Sequence, residues 1–204
     1  MLRIRWTALT ALFLLAACGK VPVMHYYDLR YPAVVNPAPP APKFNATLAI
    51  SSFTAPSLYR QSRILYREGN TSNKVGYYED RRWASPPTEL LTQAALTHFR
   101  NSGLFANVIP FSDRSTCDFV LRARIVELEE VDLPDGYYGR VTLQAELLAS
   151  ETGRALWSGA VSANRKTLIK DANAVMEEIA DSAREVIAGL TQAVDQAVSR
   201  SASK

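Results

Sequence analysis

Alternation of apolar and polar positions with period two runs through the second half of the chain, and it defines the elements. In "CDFVLRARIVELEEV", Phe119, Leu121, Ala123 and Ile125 fall on one side and Arg122 and Arg124 on the other. In "YYGRVTLQAELLAS", Val141, Leu143, Ala145 and Leu147 oppose Arg140, Thr142, Gln144 and Glu146. The link "DLPDG" carries turn chemistry, "ETG" makes a second turn, and "RALWSGAVSANRK" follows as a third strand. This predicts a three-strand antiparallel meander with one buried and one solvated face. From Asp171 to about Ser199 the period changes. Val175, Ile179, Ser182, Val186, Leu190 and Val194 recur at spacings of three and four, the stripe of an amphipathic helix. It is expected to lie across the apolar face of the meander, its alanines permitting close approach.

Earlier elements follow the same logic. "NATLAISSF" reads as a strand, "TAPSLYRQ" as a loop or short helical turn, and "SRILYREG" as a strand closed by the turn signal "GNTSN". "KVGYYEDRRW" completes a hairpin with it. A helix is expected over "SPPTELLTQAALTHFRNSG", with Ser85 as N-cap, Pro86 at the first helical position and Gly103 as the C′ stop. Leu104 would then pack on Phe99. "ANVIPF" is a short strand. The fold class that results is α/β: a mixed, largely antiparallel sheet with two helices packed on one face, a two-layer sandwich.

The N-terminus has a different grammar. Arg3 and Arg5 precede an apolar run from Trp6 to Leu15, shorter than the ~20 residues a membrane span needs. Charged start, short apolar core and small residues are the layout of a secretory signal peptide. Its ending, Leu15-Ala16-Ala17-Cys18, resembles a bacterial lipobox, so residues 1–17 read as a lipoprotein signal and Cys18 as the lipidated residue, with palmitate-type acyl chains. Two or more chains hold a protein stably at a membrane, where one binds marginally. Residue 19 is Gly rather than the Asp that resembles an inner-membrane retention signal, which favours the periplasmic face of the outer membrane. Residues 18–43 then form a lipidated N-terminus and Pro-rich tether, with residues 44–200 as the domain. Within the tether, "HYYDLRYP" has the composition of an edge strand or docking segment.

Composition narrows the function classes. The formal charge of +3 is mixed along the chain and falls to +1 without Arg3 and Arg5, so the basic stripe of a nucleic-acid protein is missing. Cys117 is the only cysteine besides Cys18 and reads as a core residue. His25 and His98 have no ligand spacing around them; His98 sits among apolar helical neighbours. No Gly-rich phosphate loop and no G-x-S-x-G elbow occurs. Glu79-Asp80 and Glu129-Glu130 are adjacent, so on strands each pair diverges to opposite faces, a poor geometry for paired acid–base work. The chain is not expected to be an enzyme, and no cofactor is expected beyond the lipid on Cys18. "KVGYYEDRRW" holds the residue types that dominate interface hot spots, and Tyr77, Tyr78, Arg81, Arg82 and Trp83 are the candidate partner contacts.

The order of I-x-Y, Y-Y-x-x-x-x-W-x-x-P-P, L-L with a helix ending S-G-L-F, and T-G-x-x-x-W before a strand resembles the ABC-type transport auxiliary lipoproteins, of the paraquat-inducible protein C kind. The likeness runs from about Met24 to Ala197. It implies a lipid-anchored periplasmic component of a lipid transport system, often for phospholipid. Its implied partner is the substrate-binding protein carrying an MCE (mammalian cell entry) domain, and relatives form rings of identical copies. The expected role is docking or assembling that protein at the outer membrane. The alternative is an envelope assembly factor or lipid-binding chaperone, which would show a deep apolar cavity between helices and sheet.

Overall fold

A computed structural model describes residues 23–29, 41–70, 73–112 and 116–202. Its eight-stranded sheet is organised around one long strand. The strands are β1 (His25–Tyr27), β2 (Phe44–Ile50), β3 (Arg63–Glu68), β4 (Val75–Trp83), β5 (Phe105–Pro110), β6 (Phe119–Leu133), β7 (Gly136–Ala149) and β8 (Ala155–Thr167). The helices are α1 (Ser57–Arg60), α2 (Pro87–Asn101) and α3 (Ala172–Ala202). Along one side β6 pairs antiparallel with β7 from Phe119 to Leu133. Along the other it takes β2 and β3 in succession, both parallel: Leu48 opposite Phe119, then Tyr66 opposite Glu130. Order across the sheet is β1-β4-β3-β6-β2-β5, with β7 and β8 continuing from β6.

The meander forms as the alternation predicts, and α3 lies across β7 and β8. The six stripe residues of α3 are all buried. The serine among them has a specific partner. Ser182 Oγ donates to the Gly139 carbonyl at 2.6 Å and accepts the Arg165 N–H at 3.2 Å. The helix comes so close to β7 here that a Cβ on Gly139 would sit 2.3 Å from the backbone nitrogen of Ile179. Backbone contact at this crossing therefore requires glycine, and the serine hydroxyl satisfies polar groups that the crossing buries.

Helix α2 packs on the same side and touches α3. Its start differs by one residue from expectation. Pro86 is the N-cap and Pro87 the first helical residue, with no side-chain cap, so Ser85 lies outside; the Pro86 carbonyl accepts from Glu89 and Leu90 instead. Both prolines fit because neither owes an amide to the helix at these positions. Gly103 ends the helix at φ +68°, as the C′ role demands. Leu104 packs against the core beside it.

Two placements depart from the sequence reading. Cys117 precedes β6 and is half-buried, its thiol 3.4 Å from the Ser150 hydroxyl, rather than in the core. The strand starts at Phe119, so the cysteine sits in the approach and not under the helices. The second concerns the bounds of the tether, within which the segment read as an edge strand does form one. His25–Tyr27 pairs parallel with β4, His25 opposite Arg81 and Tyr27 opposite Trp83, and Leu29 is buried. The sheet therefore begins before the Pro-rich residues, which separate β1 from β2.

Replacing Gly139 with Ala should cost on the order of 1–3 kcal/mol or more, because the methyl group meets helix backbone that cannot yield. Urea unfolding of the variant against wild type measures it. An unchanged midpoint would show that α3 does not make this close approach.

Candidate functional site

A depression of roughly 710 Å³ opens where β3, β4 and β6 meet the start of α3. Its polar floor comes from β6. Glu130 and Asp132, two residues apart on one strand face, both point into it, with Tyr66 and Tyr78 stacked beside them at 5.5 Å between ring centroids. Tyr78 donates its hydroxyl to Glu130 Oε2 at 2.6 Å. Arg81 lies over the Tyr78 ring at 5.0 Å and donates Nε to the Tyr27 hydroxyl at 3.3 Å. Tyr27 in turn donates to Asn173 Oδ1 at 2.7 Å, which ties β1 to the first turn of α3. Lys170 and Tyr137 close the rim, the ammonium 5.8 Å above the ring.

Burial sets the protonation of this floor. It pushes the Glu130 carboxyl from its ordinary 4.5 up to about 7, and the neighbouring Asp132 acts in the same direction, while the Tyr78 hydroxyl opposes them. The Tyr78 phenol is driven upward by the same burial and by its bond to Glu130. Asp132 Oδ1 is sealed from solvent without a hydrogen-bond partner of its own. Protonating Glu130 relieves the repulsion that Asp132 exerts on its carboxylate.

The opposite face of β6 shows the other solution to a buried acid. Glu129 is 1% exposed in its side chain and accepts Arg67 through two bonds, Nε at 2.8 Å and Nη2 at 3.0 Å. Tyr59 of α1 adds a third, 2.8 Å from Oε2. Here a cation balances the charge, whereas Glu130 has a phenol and a second acid. The adjacent glutamates do diverge as expected. Their burial was not legible from the sequence, although four acids crowded into "VELEEVD" of one strand are a signal for it.

The five candidate contacts in β4 are separated by the fold. Trp83 is 2% exposed, inside the core, and is corrected from a partner contact to a structural residue. Arg82 donates to the carbonyls of Tyr78 and Arg81, bracing its own strand. Tyr77 stacks under Arg63 at 4.5 Å. Tyr78 and Arg81 alone join in the depression's polar network. The simple alternation fails because the β3–β4 register shifts between Arg63 and Leu65, leaving extra β4 residues that turn Tyr78 and Arg81 toward each other. Cys18 lies outside the described residues. His98 packs edge-on against Phe99, and burial lowers its basicity.

A family model described as ABC-type transport auxiliary lipoprotein component matches residues 27–202. In structure, the chain is similar to a Xanthomonas campestris protein of family model DUF330, at 22% identity and TM-score 0.75, over 88% of this chain and 99% of that one. It is also similar to an uncharacterized protein at 13% identity and TM-score 0.64, over 84% and 99% of the two chains. A hypothetical protein from Chlamydia trachomatis follows at 8% identity and TM-score 0.51, over 76% and 98%. At these identities the structural likeness speaks to fold alone. None of the curated proteins matches the sequence.

Glu130 titrates in a testable window. Its native pKa stands above its unfolded value, so the folded state binds more protons between about 4.5 and about 7. Stability from this group is therefore fully present at low pH and declines as pH rises through that interval. Glu130→Gln mimics the protonated acid. Its stability relative to wild type, followed by urea unfolding across the interval, should rise with pH; a constant difference would mean Glu130 titrates normally.

Proposed function

We infer the role of this chain from one premise: it belongs to the ABC-type transport auxiliary lipoprotein component family, matched over residues 27–202. That match is the observation that carries the reading. The protein is a non-enzymatic component of an MCE-type lipid transporter, anchored through acylated Cys18 at the periplasmic face of the outer membrane. It docks or assembles the MCE-domain substrate-binding protein there, as one of a ring of identical copies.

Several features support docking over chemistry. In the depression Glu130 accepts from the Tyr78 phenol and is held toward its protonated form rather than poised as a base. The space between helices and sheet, where a lipid-holding chaperone would need room, is filled by fully buried side chains such as Leu143, Leu147, Ile187 and Leu190. The face turned away from α2 and α3 is polar, with Arg122 paired to Glu146 and Thr142 bonded to Glu127 and Ser162. Among the described residues β8 pairs with β7 only, so thirteen residues present an outer edge to which a partner strand can add. This edge replaces the β4 aromatics as the docking surface.

Two measurements test the reading. Mass spectrometry of the mature protein should find Cys18 at its N-terminus carrying acyl chains; an unmodified Cys18 would overturn the anchor. The domain without its lipid should capture the MCE protein encoded with it in a pull-down at low and moderate salt. Failure at both would sink the docking role.

A further inference from the structure

We propose that the end of the domain formed by the β8–α3 turn, with Leu168 and Ile169 at its tip, rests on the lipid surface as a second membrane contact beside acylated Cys18. The inference rests on the lipidation of Cys18 proposed above. Leu168 is 76% exposed and Ile169 63%, adjacent in a short turn, while no other leucine or isoleucine among the described residues is exposed. Neither residue serves the core from this position.

The path of the chain chooses the occupant. β1 runs parallel to β4, and β4 runs antiparallel to β3, whose last residues pair with Val75 and with Asp132. The start of β1 therefore points toward the end of the sheet that holds the β6–β7 hairpin and Thr167, the residue before the tip. The Tyr27–Asn173 bond fixes β1 four residues from Ile169 along the chain of α3. Val23, ahead of β1, is 73% exposed and Tyr26, within it, 68%, so apolar surface continues toward the anchor. Seven peptide steps separate Cys18 from His25. Fully extended they reach at most about 25 Å. A membrane holding Cys18 is thus kept close to this end of the domain.

The charges at the tip suit a lipid surface. Lys170 follows Ile169 directly, and a lysine stem lets its ammonium reach phosphates while the tip enters apolar lipid. The acids nearby are already engaged: Asp135 with Lys166 and Tyr138, and Asp171 with the amide of Asn173.

The test uses the lipidated full chain in vesicles of phosphatidylethanolamine and phosphatidylglycerol in equal parts. Ile169→Trp reports the tip, and Val126→Trp reports a partly exposed position elsewhere on β6. With wild-type emission subtracted, the reporter at 169 should shift to the blue and lose emission to lipids brominated near the glycerol, whereas that at 126 should do neither. A chain that floats with the vesicles while position 169 behaves as 126 does would overturn the tip contact and leave the anchor intact. A chain that does not float would overturn both.

Discussion

The backbone of β6 is the constraint on which the remaining structure depends. Fifteen residues of one strand must find partners on both edges, because an unpaired buried amide or carbonyl costs about as much as a lost hydrogen bond. β7 serves one edge throughout. The other edge is divided between two shorter strands, β2 at Leu48–Ile50 and β3 at Tyr66–Glu68. Between them the chain leaves the sheet, and the gap is closed piecemeal: the Ile125 amide donates to the Thr54 carbonyl, and Tyr59 of α1 reaches Glu129. The excursion that carries α1 is therefore a repair of the β6 edge.

A single irregularity on that strand distributes the chemistry. The register between β6 and β7 shifts from Ile125 to Glu127. Ile125 and Leu128 both face the helices as a result, and the acids that follow split between faces. Glu129 turns to Arg67, and Glu130 and Asp132 turn to the start of α3. Without the bulge, strict alternation would carry Glu127 and Glu129 inward and expose Leu128. The polar depression, the buried ion pair and the continuous apolar floor are consequences of one extra residue.

This explains what the sequence could show. The meander was legible because an antiparallel sheet with one solvated face imposes strict alternation, unbroken from Val141 to Leu147. The helix α3 was legible because its stripe spans many turns. What failed to be legible depends on non-local pairing. The composition of "HYYDLRYP" suggested an edge strand, and β1 is one, but its parallel partner lies more than fifty positions away, beyond the reach of any local pattern. The divergence of Glu129 from Glu130 followed from strand geometry, but their burial depends on which strands cover them. Trp83 was misread for a related reason: residue type marks an aromatic as a contact candidate, but whether it is covered depends on the strands and helices packed over β4.

The position of β1 also changes what the Pro-rich segment can do. A tether between anchor and domain sets the height of the domain; a segment between two strands of one sheet does not. β1 is the edge next to β4, whereas β2 shares with β3 the edge of β6 that faces away from β7. At the far end Lys43 is held by Asp195 near the close of α3, and its amide donates to Gly103. The Pro-rich residues thus connect two fixed points of the domain. The distance to Cys18 is set instead by the few residues ahead of His25, too short a link to let the domain swing far from whatever holds its N-terminus.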